Sequence, residues 1–301
     1  EHPIDTLEAL FDVLQSVTSR RRNQEAGEFA WRGVVNADWG LYGSLYRHLR
    51  ARDGRWPSEE RMVEAERRLL VALQEWSLHH GSRGRLSALE QFALVQHFGG
   101  PTRLIDVSLS PYVAVWFAVE DVSASGQEHA AVDGRLFAID VTRRMISARD
   151  DLREWEDSPD LPWVSGVAGD ADAWTRYVYA WRPPRFEGRI TAQDGAFILG
   201  GVPHPGPPER ALPWRRGRRG AAASTYWSIE DVRSCVSLPV RPNVYSKQRR
   251  SRDAEQPVYV FRIAAAAKRA IRAHVEGVLG FRARRLFPDY SGFGTYGVRD
   301  L

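Results

Sequence analysis

The sequence predicts a single α+β domain covering residues 1–301. Strand-like runs rich in aromatic and β-branched residues lie between helical stripes, without the regular strand–helix–strand alternation typical of a parallel sheet. No internal repeat and no clear domain boundary divides the chain. Its 301 residues, 43% of them hydrophobic, are enough for one substantial core.

Three amphipathic helices are predicted outside the middle of the chain. Residues 4–17 carry apolar side chains at helical spacing behind an Asp5/Thr6 cap. Residues 58–80 repeat that pattern behind an N-cap at Ser58. Residues 264–279 form the third helix.

Strands are predicted at 29–35, 135–140, 177–181 and 257–263, and a strand pair or a bent strand at 189–201. Two other segments are expected to add little to the core. Residues 142–172 are charged and irregular in pattern. Residues 202–224, rich in Pro, Gly, Ala and Arg, are expected to form a flexible basic excursion on the surface.

The stretch 86–121 predicts a helix, a short strand and a second helix in close succession. Ser87 and Glu90 have capping-box spacing, so the first helix should begin at Ala88 and end near Gly99. Residues 102–108 follow as a strand. Ser110 and Pro111 then provide an N-cap and an N1 proline for a helix over 111–120, which is apolar almost all round and therefore buried.

This central stretch also concentrates polar side chains in the junctions between its elements. They are His97, Thr102, Arg103, Asp106, Ser108 and Ser110. Buried polar groups need hydrogen-bond partners, and a dense set of them is typical of a functional site. A structural alternative is that Arg103 pairs with Asp106 and that His97 caps a helix end.

Several classes of protein are disfavoured by absent motifs. The lone Cys235 rules out an internal disulfide framework and a cysteine zinc site, and is expected to be a small buried hydrophobe. The eight His are scattered, so no metal site is predicted. There is no Walker loop, dinucleotide glycine fingerprint, HExxH or nucleophile elbow. Glu120 and Asp121 are expected to be solvated at a helix end.

Charge and hydropathy point to no particular partner. The 42 basic and 38 acidic residues give a net charge of +4, which permits nucleic-acid contact without favouring it. No apolar run has membrane-spanning length and no signal peptide is visible, so we expect a cytoplasmic protein without a membrane partner.

Three groups of motifs occur together. They are Trp31-Arg32-Gly33 with Trp39 to Arg47; Gln96 to Asp106 leading to Ser110-Pro111 and Trp116-Phe117-Ala118; and Arg189 to Phe197 with Leu286 to Asp289. Together they resemble the FRG domain family, which is named for a Phe-Arg-Gly motif. The chain departs from the family pattern at Trp31, where Phe is usual, and at Val34, where Gln is frequent.

The order of these motifs is similar to that of ADP-ribosyltransferases. Those folds place an Arg or His on a first strand, a Ser-containing strand running into a helix, and a Glu or Gln near a late strand turn. The resemblance therefore implies a split antiparallel sheet flanked by helices. Arg32, the segment 106–110 and Gln193 would be the three elements.

The resemblance also implies an activity, which is ADP-ribosyl transfer from NAD or NAD hydrolysis in a toxin or defence effector. NAD would be the substrate, and the acceptor would be a protein or a nucleic acid. Arg32, His97 and Gln193 would be catalytic. NAD would be held by Arg32, Thr102, Arg103, Asp106, Ser108 and Ser110. Because Gln193 is neutral, it lacks the charge with which a Glu would stabilise a developing cation.

Two alternatives belong to other classes of function. The chain could be a non-catalytic module that binds nucleic acid or a nucleotide-derived ligand through Arg215–Arg219 and Lys247–Arg252, or a purely structural interaction domain. For Arg32 itself, the structural alternative is an edge-strand Arg whose stem covers apolar surface.

Overall fold

The computed structural model describes residues 1–22, 25–82, 84–121, 126–146, 153–164, 171–183, 188–204, 227–243, 245 and 257–298. Most of the predicted basic excursion at 202–224 and both basic stretches, Arg215–Arg219 and Lys247–Arg252, lie outside the described residues.

The strands and helices alternate irregularly along the chain, as the sequence predicts. The strands are β1 (His2–Ile4), β2 (Arg21–Arg22), β3 (Glu25–Ala26), β4 (Phe29–Val34), β5 (His80–Gly81), β6 (Gly84–Arg85), β7 (Ile105–Ser108), β8 (Gly134–Asp140), β9 (Tyr179–Trp181), β10 (Gly195–Leu199), β11 (Arg241–Asn243) and β12 (Pro257–Ile263). The helices are α1 (Leu7–Thr18), α2 (Ser44–Asp53), α3 (Glu59–Glu75), α4 (Ala88–His97), α5 (Pro111–Ala118), α6 (Arg153–Asp157), α7 (Ala171–Arg176), α8 (Gly188–Ala192), α9 (Ile229–Arg233), α10 (Ala265–Gly277), α11 (Ala283–Leu286) and α12 (Tyr290–Gly292), followed by a π-helical turn, Phe293–Gly297.

One eight-stranded sheet organises the described part of the chain. Its order is β1-β12-β8-β4-β7-β10-β9, with β11 also paired to β12. The pairs from β12 through β9 are antiparallel, but β1 and β11 both join β12 in parallel. The predicted α+β fold is confirmed. The predicted antiparallel sheet is correct from β12 through β9 but wrong for the short edge strands β1 and β11, which pair with β12 in parallel.

The sheet is continuous on both sides of its centre but narrowly joined in the middle. Strand β4 pairs with β8 over six residues, and β7 pairs with β10 over four. Between β4 and β7 there is one register pair, Trp31 with Ser108. Beyond that pair the two central strands are not in ladder contact, and their facing edges border the site described below.

Helix α5 lies directly against the central strands. A Cβ at Gly33 would come within 1.7 Å of the Ala114 carbonyl oxygen, and one at Gly134 within 2.2 Å of the Ala118 carbonyl oxygen. The glycines on β4 and β8 therefore allow the backbone of α5 to touch the sheet. Helices α1 and α10 complete this layer through buried residues such as Leu14 and Ile271.

The local signals around α4 and α5 are confirmed. Ser87 and Glu90 form a complete capping box, and Gly99 has a left-handed φ of 84° just after the helix. Helix α5 begins with Pro111 at its first position, as predicted, although the Ser110 hydroxyl makes no capping hydrogen bond.

Three sequence expectations are wrong. Within the segment 142–172, Trp155, Leu161 and Trp163 join a buried cluster with Leu89 and Phe92 of α4, because these large apolar side chains point inward, whereas Val164 is exposed. Residues 189–201 are not a strand pair, since α8 occupies 188–192 and only Gly195–Leu199 is a strand. Cys235 is exposed rather than buried.

Candidate functional site

A cleft of about 320 Å³ opens where β4 and β7 separate. Its walls are the β4 strand, the C-terminal turn of α4, β7, one face of α5, the α8–β10 turn and Phe287. Five of the predicted site residues line it: Arg32, His97, Asp106, Ser108 and Gln193. The structure therefore brings together Arg32 and Gln193, which lie 161 positions apart in the chain. We call this cleft the first lobe.

Arg32 bridges the two separated strands. Its Nη1 donates a hydrogen bond of 2.5 Å to the backbone oxygen of Asp106 on β7. Burial lowers the pKa of Arg32. The Asp106 carboxylate raises this pKa, whereas the nearby Arg47 lowers it further. The guanidinium nevertheless remains charged at neutral pH, because an arginine starts from a very high pKa. Arg32 is half-buried and donates to a neutral carbonyl; the Asp106 carboxylate acts on its charge, but no ion pair of Arg32 occurs among the described residues.

The turn that carries Gln193 is fixed from two sides. The buried Ser108 hydroxyl donates to the Gln193 backbone oxygen at 2.7 Å, and Gln193 Nε2 donates to the Leu286 backbone oxygen at 3.0 Å. The next residue, Asp194, has a φ of 46°, which tightens the turn into β10. With its amide nitrogen directed to Leu286, Gln193 retains Oε1 as an acceptor for a ligand.

Ser108 acts within this arrangement as an organising residue. Besides donating to Gln193, its Oγ accepts a hydrogen bond of 3.0 Å from the Ser110 backbone nitrogen. Ser110 itself lies outside the lining of the first lobe. The Ser-containing segment thus connects β7 to the start of α5 and holds the Gln193 turn at the cleft.

His97 lines the first lobe from the last residue of α4. Its ring packs edge-on against Phe98, with centroids 5.0 Å apart. Thr102 lies behind this wall rather than in it, since it is buried and its hydroxyl hydrogen-bonds Gln96, which does line the lobe. Thr102 therefore supports the α4 wall from behind.

Arg189 adds a second cation to the first lobe. The sequence motifs include this residue but assign it no role of its own. Its Nε and Nη2 form paired hydrogen bonds of 2.8 and 2.6 Å to the Asp289 carboxylate, and its guanidinium lies over the Phe287 ring. These hydrogen bonds lower the pKa of Asp289. The pair fastens the segment after α11 to α8, next to Gln193.

Arg103 is not brought into the first lobe. It is 2% exposed, and its guanidinium forms 2.5 and 2.7 Å hydrogen bonds to Glu66 and a 2.9 Å ion pair with Glu59. The rings of Trp163 and Trp174 flank it at about 5 Å. Burial alone would lower the pKa of Arg103, but the two carboxylates outweigh burial and raise it.

The structural alternative of an Arg103–Asp106 pair is also wrong, because the buried Arg103 is paired with the two α3 carboxylates, whereas Asp106 is exposed on β7. Arg103 connects α3 to the residues just before β7. The charge of Arg103 is balanced by Glu59 and Glu66 and is not available to a phosphate. The expectation that Arg103 holds NAD stays a prediction, and this geometry does not favour it.

A second lobe of about 410 Å³ adjoins the first. The two lobes share Arg32, Gly33 and Phe117. The remaining lining is Val34, Val35, Asp38, Trp39, Gly40, Tyr42, Arg47 and Glu120. Arg32 thus lies at the junction of a double cleft.

Glu120 was missed by the sequence reasoning. It is 6% exposed rather than solvated, because the chain turns inward just after α5, while the neighbouring Asp121 does reach solvent and pairs with Arg272. Tyr42, on the same lobe, donates a hydrogen bond to the Ser234 backbone oxygen, and burial raises its pKa to about 12. A carboxylate directly after a wholly apolar helix was the available sequence signal for Glu120.

Within the described residues, no group of three or more His, Cys, Asp or Glu side chains is arranged to hold a metal ion. In the same part of the chain, no helix combines the length and apolarity needed to cross a bilayer.

Residues 27–127 match the family model described as the FRG domain. This span contains β4, β7 and α5, with Arg32, His97, Asp106 and Ser108, while Gln193 lies beyond it. No curated protein and no solved structure matches the chain.

Proposed function

From the premise that residues 27–127 form an FRG domain, we propose that the protein cleaves NAD at the bond between nicotinamide and ribose. The ADP-ribosyl group would pass to an acceptor, in an ADP-ribosyltransferase, or to water, in an NAD-glycohydrolase. The observation that carries this proposal is the convergence of Arg32, Ser108 and Gln193 on one cleft where the central strands separate.

The opening between β4 and β7 supports the finer fold assignment, an ADP-ribosyltransferase-like split sheet. A sheet joined at its centre by the single pair Trp31–Ser108 has exposed strand edges at that point. In this proposal the nicotinamide riboside end of NAD occupies the opening, with Arg32 on one edge and the Ser108 segment on the other. The first lobe, at about 320 Å³, has the size of a small-molecule pocket and suits that part of the substrate.

The proposed chemistry needs positioning and charge more than a strong acid. Breaking the glycosidic bond leaves positive charge on the ribose, and nicotinamide departs as a neutral group. Arg32 would anchor the pyrophosphate, since a guanidinium matches phosphate oxygens with paired donors. Gln193 Oε1 would accept a hydrogen bond from a ribose hydroxyl, while its Nε2 stays on Leu286.

His97 is the residue on the first lobe best suited to accept a proton from an acceptor or from water. A neutral imidazole nitrogen can accept a proton, and His97 lines the lobe at the last residue of α4. A toxin or defence role would follow from uncontrolled NAD consumption, and we retain it as part of the proposal.

The test is NAD binding by calorimetry together with nicotinamide release by the full chain. We expect Arg32→Ala to lower kcat/KM by about tenfold to a hundredfold, because a charge-assisted hydrogen bond is lost. Gln193→Ala should lower kcat more than it raises KM. Arg68→Ala, on the exposed face of α3, is the matched control and should keep full activity.

Thermal unfolding of each variant distinguishes a lost function from a lost fold. The proposal is wrong if the folded full chain neither binds NAD nor releases nicotinamide. The alternative, nucleic-acid binding without turnover, would instead give a salt-dependent gel shift that needs the basic stretches Arg215–Arg219 and Lys247–Arg252.

A further inference from the structure

The second lobe carries three kinds of side chain that the proposed chemistry does not use. They are an exposed aromatic ring, an exposed cation and a buried carboxylate, provided by Trp39, Arg47 and Glu120. The lobe meets the first one at Arg32, so any ligand seated in it lies beside the same guanidinium.

Trp39 offers a fixed stacking surface. Trp39 is 44% exposed, so part of its indole is accessible to a ligand in the lobe. One edge of the indole packs at right angles to the His129 ring, 5.5 Å away, and its backbone oxygen accepts a hydrogen bond of 2.9 Å from Arg135. These contacts hold the ring in place before a ligand arrives, which favours stacking with a planar base.

Arg47 and Arg32 form a site for an anion. Both guanidiniums line the second lobe, and they are close enough for Arg47 to perturb the charge equilibrium of Arg32. No ion pair joins Arg47 to another residue in the described part of the chain. The Asp106 carboxylate also acts on Arg32, and Asp38 and Glu120 line the same lobe, so a phosphate would bind between the two guanidiniums rather than across the lobe as a whole.

Glu120 supplies the complementary acceptor. A carboxylate in a nucleotide pocket binds ribose hydroxyls, because its oxygens accept hydrogen bonds and cannot donate them. The same charge repels a 2′-phosphate. Together with the stacking ring and the paired cations, this carboxylate selects a ribose-containing nucleotide over a deoxynucleotide.

We propose that the second lobe binds a ribonucleotide, with its base stacked on Trp39, its ribose hydroxyls on Glu120 and its phosphate between Arg32 and Arg47. The ligand could come from two sources. One is the adenylate half of NAD, and for this source the inference rests on the proposed function. The other source is a terminal nucleotide of an RNA acceptor. Both present the same base, ribose and phosphate to the lobe.

The experiment measures binding of three small probes to the full chain by calorimetry: AMP, 2′-deoxy-AMP and adenosine. AMP should bind, and both other probes should bind about tenfold more weakly, since each loses one of the expected polar contacts. Glu120→Gln should reduce the preference for AMP over 2′-deoxy-AMP while the variant remains folded.

Matched variants locate the binding. Trp39→Ala and Arg47→Ala should each weaken AMP binding by about tenfold. Trp76→Ala removes another exposed indole, and Arg52→Ala removes another exposed guanidinium from the same helix as Arg47. These two controls should bind AMP as the unaltered chain does.

Failure of AMP to bind overturns the inference, as does AMP binding that Trp39→Ala and Arg47→Ala leave intact. Competition between AMP and NAD supports the inference with NAD as the source, and simultaneous binding of both supports it with an RNA acceptor as the source. The two proposals fail separately. A chain that binds AMP through Trp39 without cleaving NAD refutes only the proposed function, whereas NAD cleavage unaffected by Trp39→Ala and without AMP binding refutes only this inference.

Discussion

Arg103 is surrounded by residues far from it in the chain: its partners, Glu59 and Glu66, are 44 and 37 positions earlier, and its flanking rings, Trp163 and Trp174, are at least 60 positions later. Nothing within a few residues of Arg103 indicates that four distant side chains will surround it. Arg32, by contrast, stands out locally, since a lone guanidinium in an apolar strand needs an unusual partner, and it lies in the cleft; its role there stays a prediction.

Gly33 offers a prediction at the residue scale. Gly33→Ala should destabilise the fold by about 3 kcal/mol, because its Cβ would overlap the Ala114 backbone oxygen and α5 would have to move. Urea unfolding of the variant measures this loss.

Gly277→Ala is the control for that change. A Cβ at Gly277 meets no atom within 4 Å, and the residue lies at the end of α10, so this variant should be equal in stability or slightly more stable. Equal stability of the two variants would show that α5 does not press on β4.

At the scale of elements, most predicted caps and most predicted strands are confirmed, and the segment 189–201 is the exception among the strands. The capping box at Ser87 and the left-handed Gly99 depend on residues within a few positions along the chain, so both can be predicted from the sequence. Residues 188–192 form the helical turn α8 although their β-branched content favours a strand, because the Arg189–Asp289 pair and the Gln193 turn fix them from outside.

The Arg189–Asp289 pair leads to a pH prediction for the contact between α8 and the start of α12. Hydrogen bonds from Arg189 lower the pKa of Asp289, and the backbone nitrogen of Gly292 and the nearby His97 act in the same direction. A carboxyl whose folded pKa is depressed adds stability above its unfolded pKa, about 3.9, and that stability is lost as pH falls through the folded value.

A double-mutant cycle of Arg189→Gln and Asp289→Asn tests this sign. Asn keeps the capping acceptor at position 289, so the cycle isolates the ion pair. The coupling free energy should be about 1 kcal/mol at pH 7, since both side chains are partly exposed, and should shrink below about pH 4. A coupling that grows on acidification would contradict the assignment.

At the scale of the whole molecule, the α+β class followed from the dispersion of strands among helices, but the strand order did not. The edge strands β1 and β11 are three residues long, too short for a periodic signal, and their parallel pairing with β12 depends on the path of the entire chain. The single pair between β4 and β7 is likewise a product of long-range packing. The two halves of the sheet are each well paired to other strands, and in the described residues Trp31 with Ser108 is the one register pair between β4 and β7.

This arrangement has a consequence for residues 27–127, the span that matches the FRG domain. The span contains β4 and β7 but neither β8 nor β10, which provide six and four register pairs to them. In isolation its two central strands would share one pair, far less than an independently stable sheet needs. A fragment of residues 27–127 should therefore show no cooperative unfolding transition, whereas the full chain should unfold with about 5–15 kcal/mol.

Urea unfolding followed by circular dichroism and by tryptophan fluorescence measures both proteins. Restoring the chain to residue 204 adds β8, β9 and β10 and should recover part of the transition, because the two central strands then have their neighbours. Cooperative unfolding of the 27–127 fragment alone would mean that its helices form a core without the outer strands. In that case Gln193 would belong to a separate unit, and the first lobe would be a surface between two units rather than a cleft inside one sheet.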